Sequence, residues 1–503
     1  MKASSFVSTK RLTIVLALLI LSNLSLILGY VLWSISAGST NPRSFRMRTQ
    51  TVYRVVEPII REAQVPHLQE VNEVQLKGLV KDMKQCSLAL GMTKNELRRS
   101  MSNLTTAAAK AHIFLTALQS IIPANYAQGI KNPCWHSNLT VGDSLRIALM
   151  FGLRGAKQLF KFTTGLLRTG GGSTQLYCLP YFFIAGFPKS GTTTLHEALQ
   201  QHPQIVRPTK KEPHWWTRVP LEDMNMDYLK LTIMEYLLYF TEAAKKITQH
   251  PYEGTITYDG SQSTLWDSNF FVNNEDYCAM PAIISRILPN AKFIVLMRNP
   301  VTREYSNFFY SCGFSLKTWP KWVQEDPAGE FHKAVESDTT SFNNCMKATN
   351  NSLHECMRWI RSVKCGCGSG HIGKRLPIGM YYVHLHKWMQ FYPRKNFLFL
   401  RTEDMCQRPH RMMTQITNFL GVEPITRDQA QEWMCHEANA QHIYSTDPEK
   451  FKMKPETKKL LDNFYRPFNG KLAELTGDEH FLWTSKDQSV LHNKSVTQTV
   501  SQR

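Results

Sequence analysis

One nine-residue segment limits what this chain can fold into more than any other: Gly186-Phe-Pro-Lys-Ser-Gly-Thr-Thr-Thr194. Tyr181-Phe-Phe-Ile-Ala185 precedes it, a short apolar run of strand type. Thr192 to His202, a helix-forming stretch, follows it. A strand, a Gly/Pro loop and a helix in that order place free backbone N–H groups at a helix start, where the helix dipole favours an anion. Thr192, Thr193 and Thr194 add hydroxyls, and Lys189 lies inside the loop. The bland alternative is an ordinary turn between a strand and a helix.

The spacing Gly186-x4-Gly191 imitates a Walker A loop, but that motif needs Lys directly after the second Gly, and Thr192 stands there. A P-loop nucleotide kinase is therefore disfavoured. A second segment, Lys210-Lys-Glu-Pro-His-Trp-Trp216, sets a carboxylate beside two cations and a His. Glu212 in that setting can act as a general base, with His214 as its rival. Lys210 and Lys211 would keep it ionised, and Trp215 and Trp216 would offer faces to a sugar ring. By itself the segment reads more readily as a surface salt-bridge cluster than as a base in a cleft. The third segment, Met297-Arg-Asn-Pro-Val-Thr-Arg-Glu-Tyr-Ser306, follows the apolar run Phe293 to Met297. A strand end aims Arg298 at the ligand side of a parallel sheet, and Arg suits bidentate phosphate contacts. Ser306 could add a hydroxyl.

Further strand candidates are Gln204 to Val206, Thr255 to Tyr258 and Phe397 to Leu400. Helical stretches lie between them at Asp227 to Ile247, Tyr381 to Phe391 and Pro409 to Leu420. Strands alternating with helices predict an α/β fold with a mostly parallel central sheet and flanking helices. Asn132-Pro-Cys-Trp135 is expected to pack against it. Gly170-Gly-Gly-Ser173 reads as a flexible break.

Upstream, Leu12 to Trp33 is a 22-residue run without a charge. At about 1.5 Å per residue it is long enough for a bilayer core, and longer than the apolar region of a cleaved signal peptide. Sequons at Asn103, Asn138, Asn350 and Asn493 follow it, and the 11 cysteines suit an oxidising lumen. The expected layout is a cytoplasmic tail over 1–11, a transmembrane signal-anchor over 12–33 and a luminal helical stem over 34–131. Ser144 to Leu167 is apolar but interrupted by Arg146, Arg154, Lys157 and Lys161, so it reads as amphipathic rather than as a second span. A net charge of +19 favours an anionic partner.

The three segments in order resemble the Golgi carbohydrate sulfotransferases that use 3′-phosphoadenosine 5′-phosphosulfate (PAPS). The resemblance continues through Gly379-Met-Tyr381, Trp388, Phe397-Leu-Phe-Leu-Arg-Thr-Glu403 and Asn463-Phe-Tyr-Arg-Pro-Phe-Asn469, and covers about residues 132–484. Leu179-Pro-Tyr-Phe-Phe183, Glu212-Pro-His-Trp-Trp-Thr217, Asp259-Gly-Ser-Gln-Ser-Thr-Leu-Trp-Asp267 and Asn344-Cys-Met346 most resemble members that sulfate the 6-hydroxyl of N-acetylgalactosamine 4-sulfate. The basic, Cys/Gly-rich residues 361–375 depart from that pattern.

The resemblance implies a sulfotransferase domain over 132–484 with a P-loop-like phosphosulfate-binding turn, and a polar tail over 485–503. It implies PAPS as co-substrate. Lys189 would steady the leaving phosphate, with Ser190, Gly191, Thr192, Thr193 and Thr194 around the 5′-phosphate. Arg298 and Ser306 would hold the 3′-phosphate, with Glu212 as base and His214 beside it. The implied acceptor is an anionic glycosaminoglycan of chondroitin or dermatan type, with a heparan-type glycan as runner-up. The implied location is the Golgi membrane, single-pass type II, with the catalytic domain luminal. No nucleic-acid partner and no metal are expected. Cys365-Gly-Cys367 with His371 lacks a second Cys pair at finger spacing and reads as a disulfide loop. Cys345 and Cys356, separated by a short polar stretch, are expected to pair. A non-enzymatic ectodomain that merely binds sulfated glycans is the competing reading.

Overall fold

The computed structural model describes residues 73–89, 94–137, 175–218, 226–267, 278–312, 319–350, 352–353, 356–357, 375–435 and 449–484. The expected membrane span, the 144–167 segment, the 170–173 break and the 365–367 loop lie outside these residues. Among the described residues no helix is long and apolar enough to cross a membrane.

Five short strands form one parallel sheet. They are β3 (Phe182–Gly186), β4 (Ile205–Val206), β5 (Ile256–Asp259), β6 (Lys292–Met297) and β7 (Phe397–Arg401), in the order β4-β5-β3-β6-β7. A separate antiparallel pair, β1 (Cys134–Ser137) and β2 (Gln175–Cys178), is joined by the Cys134–Cys178 disulfide. Every residue of β3 and β5 is buried. Continuous apolar strands of this kind suit a parallel sheet covered on both faces.

The helices of eight residues or more among the described residues, in chain order, are α1 (Glu73–Ala89), α2 (Lys94–Gln119), α3 (Thr192–Leu199), α4 (Met226–Leu238), α5 (Thr241–Gln249), α6 (Ala279–Ile287), α7 (Pro300–Cys312), α8 (Pro327–Ala348), α9 (Tyr381–Trp388), α10 (Pro409–Leu420), α11 (Arg427–Met434) and α12 (Pro455–Thr476). The helix expected over Asp227 to Ile247 is two, α4 and α5. Tyr239 and Phe240 make i→i−3 bonds to Tyr236 and Leu237 while both rings are buried. That tighter turn ends α4.

Residues 34–131 are expected as a stem, yet α1 and α2 belong to the same compact unit as the sheet, Val71–Arg503. Cys86 of α1 is bonded to Cys278 at the start of α6, and Phe114 of α2 packs on Trp215 at 5.5 Å between centroids. Leu79, Met83 and Leu115 lie in the core with Phe183 and Val295. The apolar faces of these helices are buried, which a solvent-facing stem would not require. Asn132 packs as expected: its Oδ1 accepts from Thr257 N (3.1 Å) and its Nδ2 donates to Leu179 O (3.2 Å). Cys345 at the end of α8 is bonded to Cys356, as the spacing suggested. Cys406 and Cys435 are free thiols.

The chain runs from the central β3 out to the edge strand β4, back through β5, and across to β6 and β7. The loops after β3 and β6 thus leave neighbouring strands on their C-terminal side, where doubly wound sheets place a ligand crevice.

Candidate functional site

The loop after β3 carries two residues in left-handed conformation, Lys189 (φ 64°) and Gly191 (φ 87°). Gly tolerates this without penalty; Lys189 costs about 1 kcal/mol or more. Gly191 is the residue before α3, and no side-chain hydrogen bond caps that helix among the described residues. Leu195 N bonds back to Gly191 O at 3.1 Å, so the amides of Thr192, Thr193 and Thr194 precede the helix's own ladder. Ser190 is fully buried; its Oγ makes no hydrogen bond of good geometry among the described residues, although the Tyr381 hydroxyl lies close enough to interact with it. A buried hydroxyl beside the leading amides of a helix is the kind of donor set that suits an anion.

Lys189 Nζ stands 4.3 Å from the centroid of the Tyr310 ring. Burial and then the Arg298 guanidinium lower its pKa from the ordinary lysine value. Positive potential of this kind is relieved by an incoming anion. Arg298, one residue past β6, donates from Nε to Thr302 Oγ1 (3.1 Å), and its NH1 lies 3.5 Å from Lys189 O. Thr302, Ser306 and Tyr310 recur every four residues on α7 and share one face. Half-buried Ser306 therefore sits between the Arg298 contact and the Lys189 contact.

A brace behind the loop was not legible in the sequence. Thr402 Oγ1, just past β7, donates to Ser190 O (2.6 Å), and the same hydroxyl lies 3.1 Å from Met297 O. Glu403 Oε1 accepts from Asn299 N (2.8 Å), and Tyr381 OH donates to Arg298 O (2.8 Å). The loops after β3, β6 and β7 are thereby locked together. Only the block Phe397 to Glu403 hinted at this, without saying why.

The strap 210–214 follows β4. Glu212 Oε1 pairs with Lys211 Nζ at 3.0 Å, and Oε2 lies 3.3 Å from His214 Nε2. Burial pushes the carboxyl up, but His214 and Lys211 outweigh it and lower its pKa to about 2. Lys211 Nζ also donates to Thr193 Oγ1 at 2.6 Å, which ties the strap to the first turn of α3. Lys210, in contrast, turns away, its Nζ 5.8 Å from the Tyr239 ring centroid. It does not help hold Glu212.

The strap rests on the segment after β5. His214, left-handed at φ 54°, donates its N–H to Ser261 Oγ (2.8 Å), and its Nδ1 lies 2.7 Å from Ser263 Oγ. Ser263 Oγ also meets Thr217 Oγ1 at 2.7 Å. Ser261 N donates to the buried Asp259 Oδ1 (2.8 Å), whose Oδ2 accepts from Tyr236 OH (2.7 Å). Ser261, Ser263 and Asp259 thus position the Glu212–His214 pair. They fall within residues 259–267, noticed in the sequence only as a familiar block.

Trp215 and Trp216 do not offer faces to a ligand. Both are buried, Trp215 stacked on Tyr236 at 4.6 Å and Trp216 donating from Nε1 to Tyr236 OH at 2.9 Å. Two adjacent indoles next to α2 and α4 are worth more inside the core than on a cleft wall.

Gly260 explains how closely strap and floor approach: a Cβ there would stand 2.5 Å from Lys211 O, a backbone atom that cannot swing aside. Gly260→Ala is expected to push the strap off its seat, at about 1–3 kcal/mol in stability, and to lower turnover more than nucleotide affinity. Thermal melting, calorimetry and initial rates check this. Wild-type kcat in a stably folded variant would show that the contact is not needed.

Among the described residues no group of three or more His, Cys, Asp or Glu could hold a metal ion. His384 and His386 are spent on backbone carbonyls, at Pro377 (2.9 Å) and Ala89 (3.1 Å).

A family described as "Sulfotransferase domain" matches residues 179–462. Human carbohydrate sulfotransferase 15 is 31% identical over 396 residues, covering 72% of this chain and 67% of that one. Mouse heparan sulfate glucosamine 3-O-sulfotransferase 3B1 is 25% identical over 327 residues, covering 63% and 67%. Among solved structures, a sulfotransferase from Alicyclobacillus acidocaldarius is 18% identical with a TM-score of 0.37, over 60% of this chain and 96% of that one.

Proposed function

Since this chain belongs to the sulfotransferase family and is a sulfotransferase enzyme, we propose that it moves the sulfuryl group of PAPS to a glycosaminoglycan hydroxyl. The proposed acceptor position is the 6-hydroxyl of N-acetylgalactosamine 4-sulfate in chondroitin or dermatan chains. The observation that carries the reading is Lys211. Its contacts with Thr193 (2.6 Å) and Glu212 (3.0 Å) bring a half-buried carboxylate up to the first turn of α3, which supports a base beside a donor-binding loop. Transfer from an anionic donor to a hydroxyl needs that pairing.

The family implies PAPS as donor, and the residues suit it: the buried Ser190 hydroxyl and the leading amides of α3 are the donors that phosphate oxygens require. When bound, PAPS supplies an activated sulfuryl group on a phosphate leaving group. In our reading Ser190, Gly191, Thr192, Thr193 and Thr194 cradle its 5′-phosphate. Lys189 faces the departing oxygen and holds the charge that collects there. Arg298 and Ser306 take the 3′-phosphate from β6 and α7. Glu212 removes the acceptor proton, and His214 orients Glu212 through its Nε2. No metal is needed in this scheme, because fixed cations and amides balance the charge.

The wider layout remains our reading of the sequence. Residues 1–11 are cytoplasmic, 12–33 anchor the protein in the Golgi membrane, and the catalytic body is luminal. That body includes α1 and α2 as well as 132–484. The acceptor rests on the motif blocks named above. The test is to incubate the luminal part with labelled PAPS and a panel of glycosaminoglycans, then analyse product disaccharides. Disulfated N-acetylgalactosamine is expected. Products sulfated only on glucosamine would replace this acceptor with a heparan-type glycan, and absence of transfer to any glycan would favour a binding ectodomain.

Arg298→Ala should weaken adenosine 3′,5′-bisphosphate through its 3′ end. A charged hydrogen bond contributes about 1.5–3 kcal/mol, roughly 10- to 150-fold in affinity. Calorimetry against adenosine 5′-phosphate isolates that end. A variant that prefers the bisphosphate as strongly as wild type removes Arg298 from the 3′ site.

A further inference from the structure

Glu212, paired as it is with Lys211 and His214, is a poor base. Both its oxygens are paired, and its pKa is lowered to about 2. A carboxylate that binds protons so weakly takes one from a sugar hydroxyl with little driving force. Something must loosen it before chemistry. Lys211 is placed to do so, because its ammonium is shared between Glu212 Oε1 (3.0 Å) and Thr193 Oγ1 (2.6 Å). Thr193 belongs to the first turn of α3. Lys211 is a flexible four-carbon arm with three donors, and its side chain is 25% exposed.

We infer that Lys211 is a mobile positioning cation, which leaves Glu212 for the phosphosulfate when the loop fills and so frees the carboxylate to act as base. The inference rests on the sulfotransferase reading. A multiply charged anion seated on Thr193 outbids a neutral hydroxyl and a single shared carboxylate for the same ammonium. Glu212 then keeps His214, which holds its direction, and loses the partner that most directly blocks Oε1. The base is thus armed only when donor is present, and the cofactor should bind before the acceptor reacts.

The sign of the effect is fixed by the surroundings. Burial raises the Glu212 carboxyl, while His214 and Lys211 lower it. His196 from α3, which also feels Arg207 after β4, lies within reach of the Glu212 charge, and Asp259 at the end of β5 lies within reach of His214. All of these remain when Lys211 alone is replaced. In Lys211→Met the free-enzyme carboxyl therefore rises. The acid limb of kcat/KM for PAPS, which reports the free enzyme, moves to higher pH. The acid limb of kcat, which reports the loaded enzyme, stays near that of wild type, because there Lys211 has already left.

The experiment combines those two pH profiles with calorimetry of adenosine 3′,5′-bisphosphate. Lys211→Met is expected to bind it about 10-fold or more weakly, and Lys211→Arg within a few-fold of wild type. A cation that stays on Glu212 throughout would shift both acid limbs together and leave nucleotide affinity unchanged. Either result overturns the proposal and leaves the sulfotransferase reading intact. Failure of the wild-type protein to bind the bisphosphate overturns both.

Discussion

Lys189→Ala is expected to lower sulfuryl transfer by about 10²- to 10³-fold, the usual loss when one preorganised donor to developing charge is removed. The fold should survive. Lys189 sits at φ 64°, a conformation that costs Ala as much as it costs Lys, so the exchange neither relieves nor adds backbone strain. The loop itself is held by groups that remain: Thr402 on Ser190 O and Leu296 O accepting from Phe187 N at 2.8 Å. Nucleotide binding should weaken less than turnover, since the α3 amides and Arg298 persist. Single-turnover rates with saturating PAPS, read beside calorimetry of the bisphosphate, separate the two effects. Near-native turnover in a folded variant would remove Lys189 from the leaving-group role.

Glu212→Gln is the second large effect, with about 10²–10⁴ lost in rate. The amide keeps the size of the side chain and cannot take the proton. His214→Ala should cost less. An imidazole nitrogen has one lone pair or one proton to offer, and both ring nitrogens are occupied, by Ser263 and by Glu212. A carboxylate has about four acceptor sites, so Glu212 can keep His214 and still meet a substrate hydroxyl. Because its pKa is lowered, it is ionised at any pH well above about 2. Loss of the free-enzyme rate from its protonation appears only as pH falls toward that value. Removing His214 takes away a group that lowers it, so the acid limb should then rise. A loss of only a few-fold in Glu212→Gln, beside an inactive His214→Ala, would move the base to His214.

Much of the sheet was legible because parallel strands are written as short apolar runs. Phe182–Gly186, Lys292–Met297 and Phe397–Arg401 lie where those runs are, and α10 spans Pro409–Leu420, where Pro can open a helix and Gly421 can end it. The long helix over Asp227 to Ile247 was misread because periodicity does not reveal that Tyr239 and Phe240 both turn into the core. The tryptophans were misread for a similar reason. Two aromatics beside a candidate base look like a sugar platform until α2 and α4 are known to lie over them.

Local chemistry follows from the order of the residues alone. A loop with Gly, Lys and three Thr between a strand and a helix can only present amides and hydroxyls forward, since φ preferences and helix ends act over a few residues. The same short-range logic puts Arg298 at a strand end and Glu212 beside cations. Which of these groups meet is settled by packing across the whole chain. Lys211 reaches Thr193, 18 residues away; His214 is seated on Ser261 and Ser263, 47 and 49 residues away; Ser190 is braced by Thr402, 212 residues away. Such contacts are set by strand order in the sheet, where β4, β5, β3, β6 and β7 bring their C-terminal ends to one rim. Nothing in a stretch of neighbouring residues encodes that order, because it arises from how the whole apolar surface is buried.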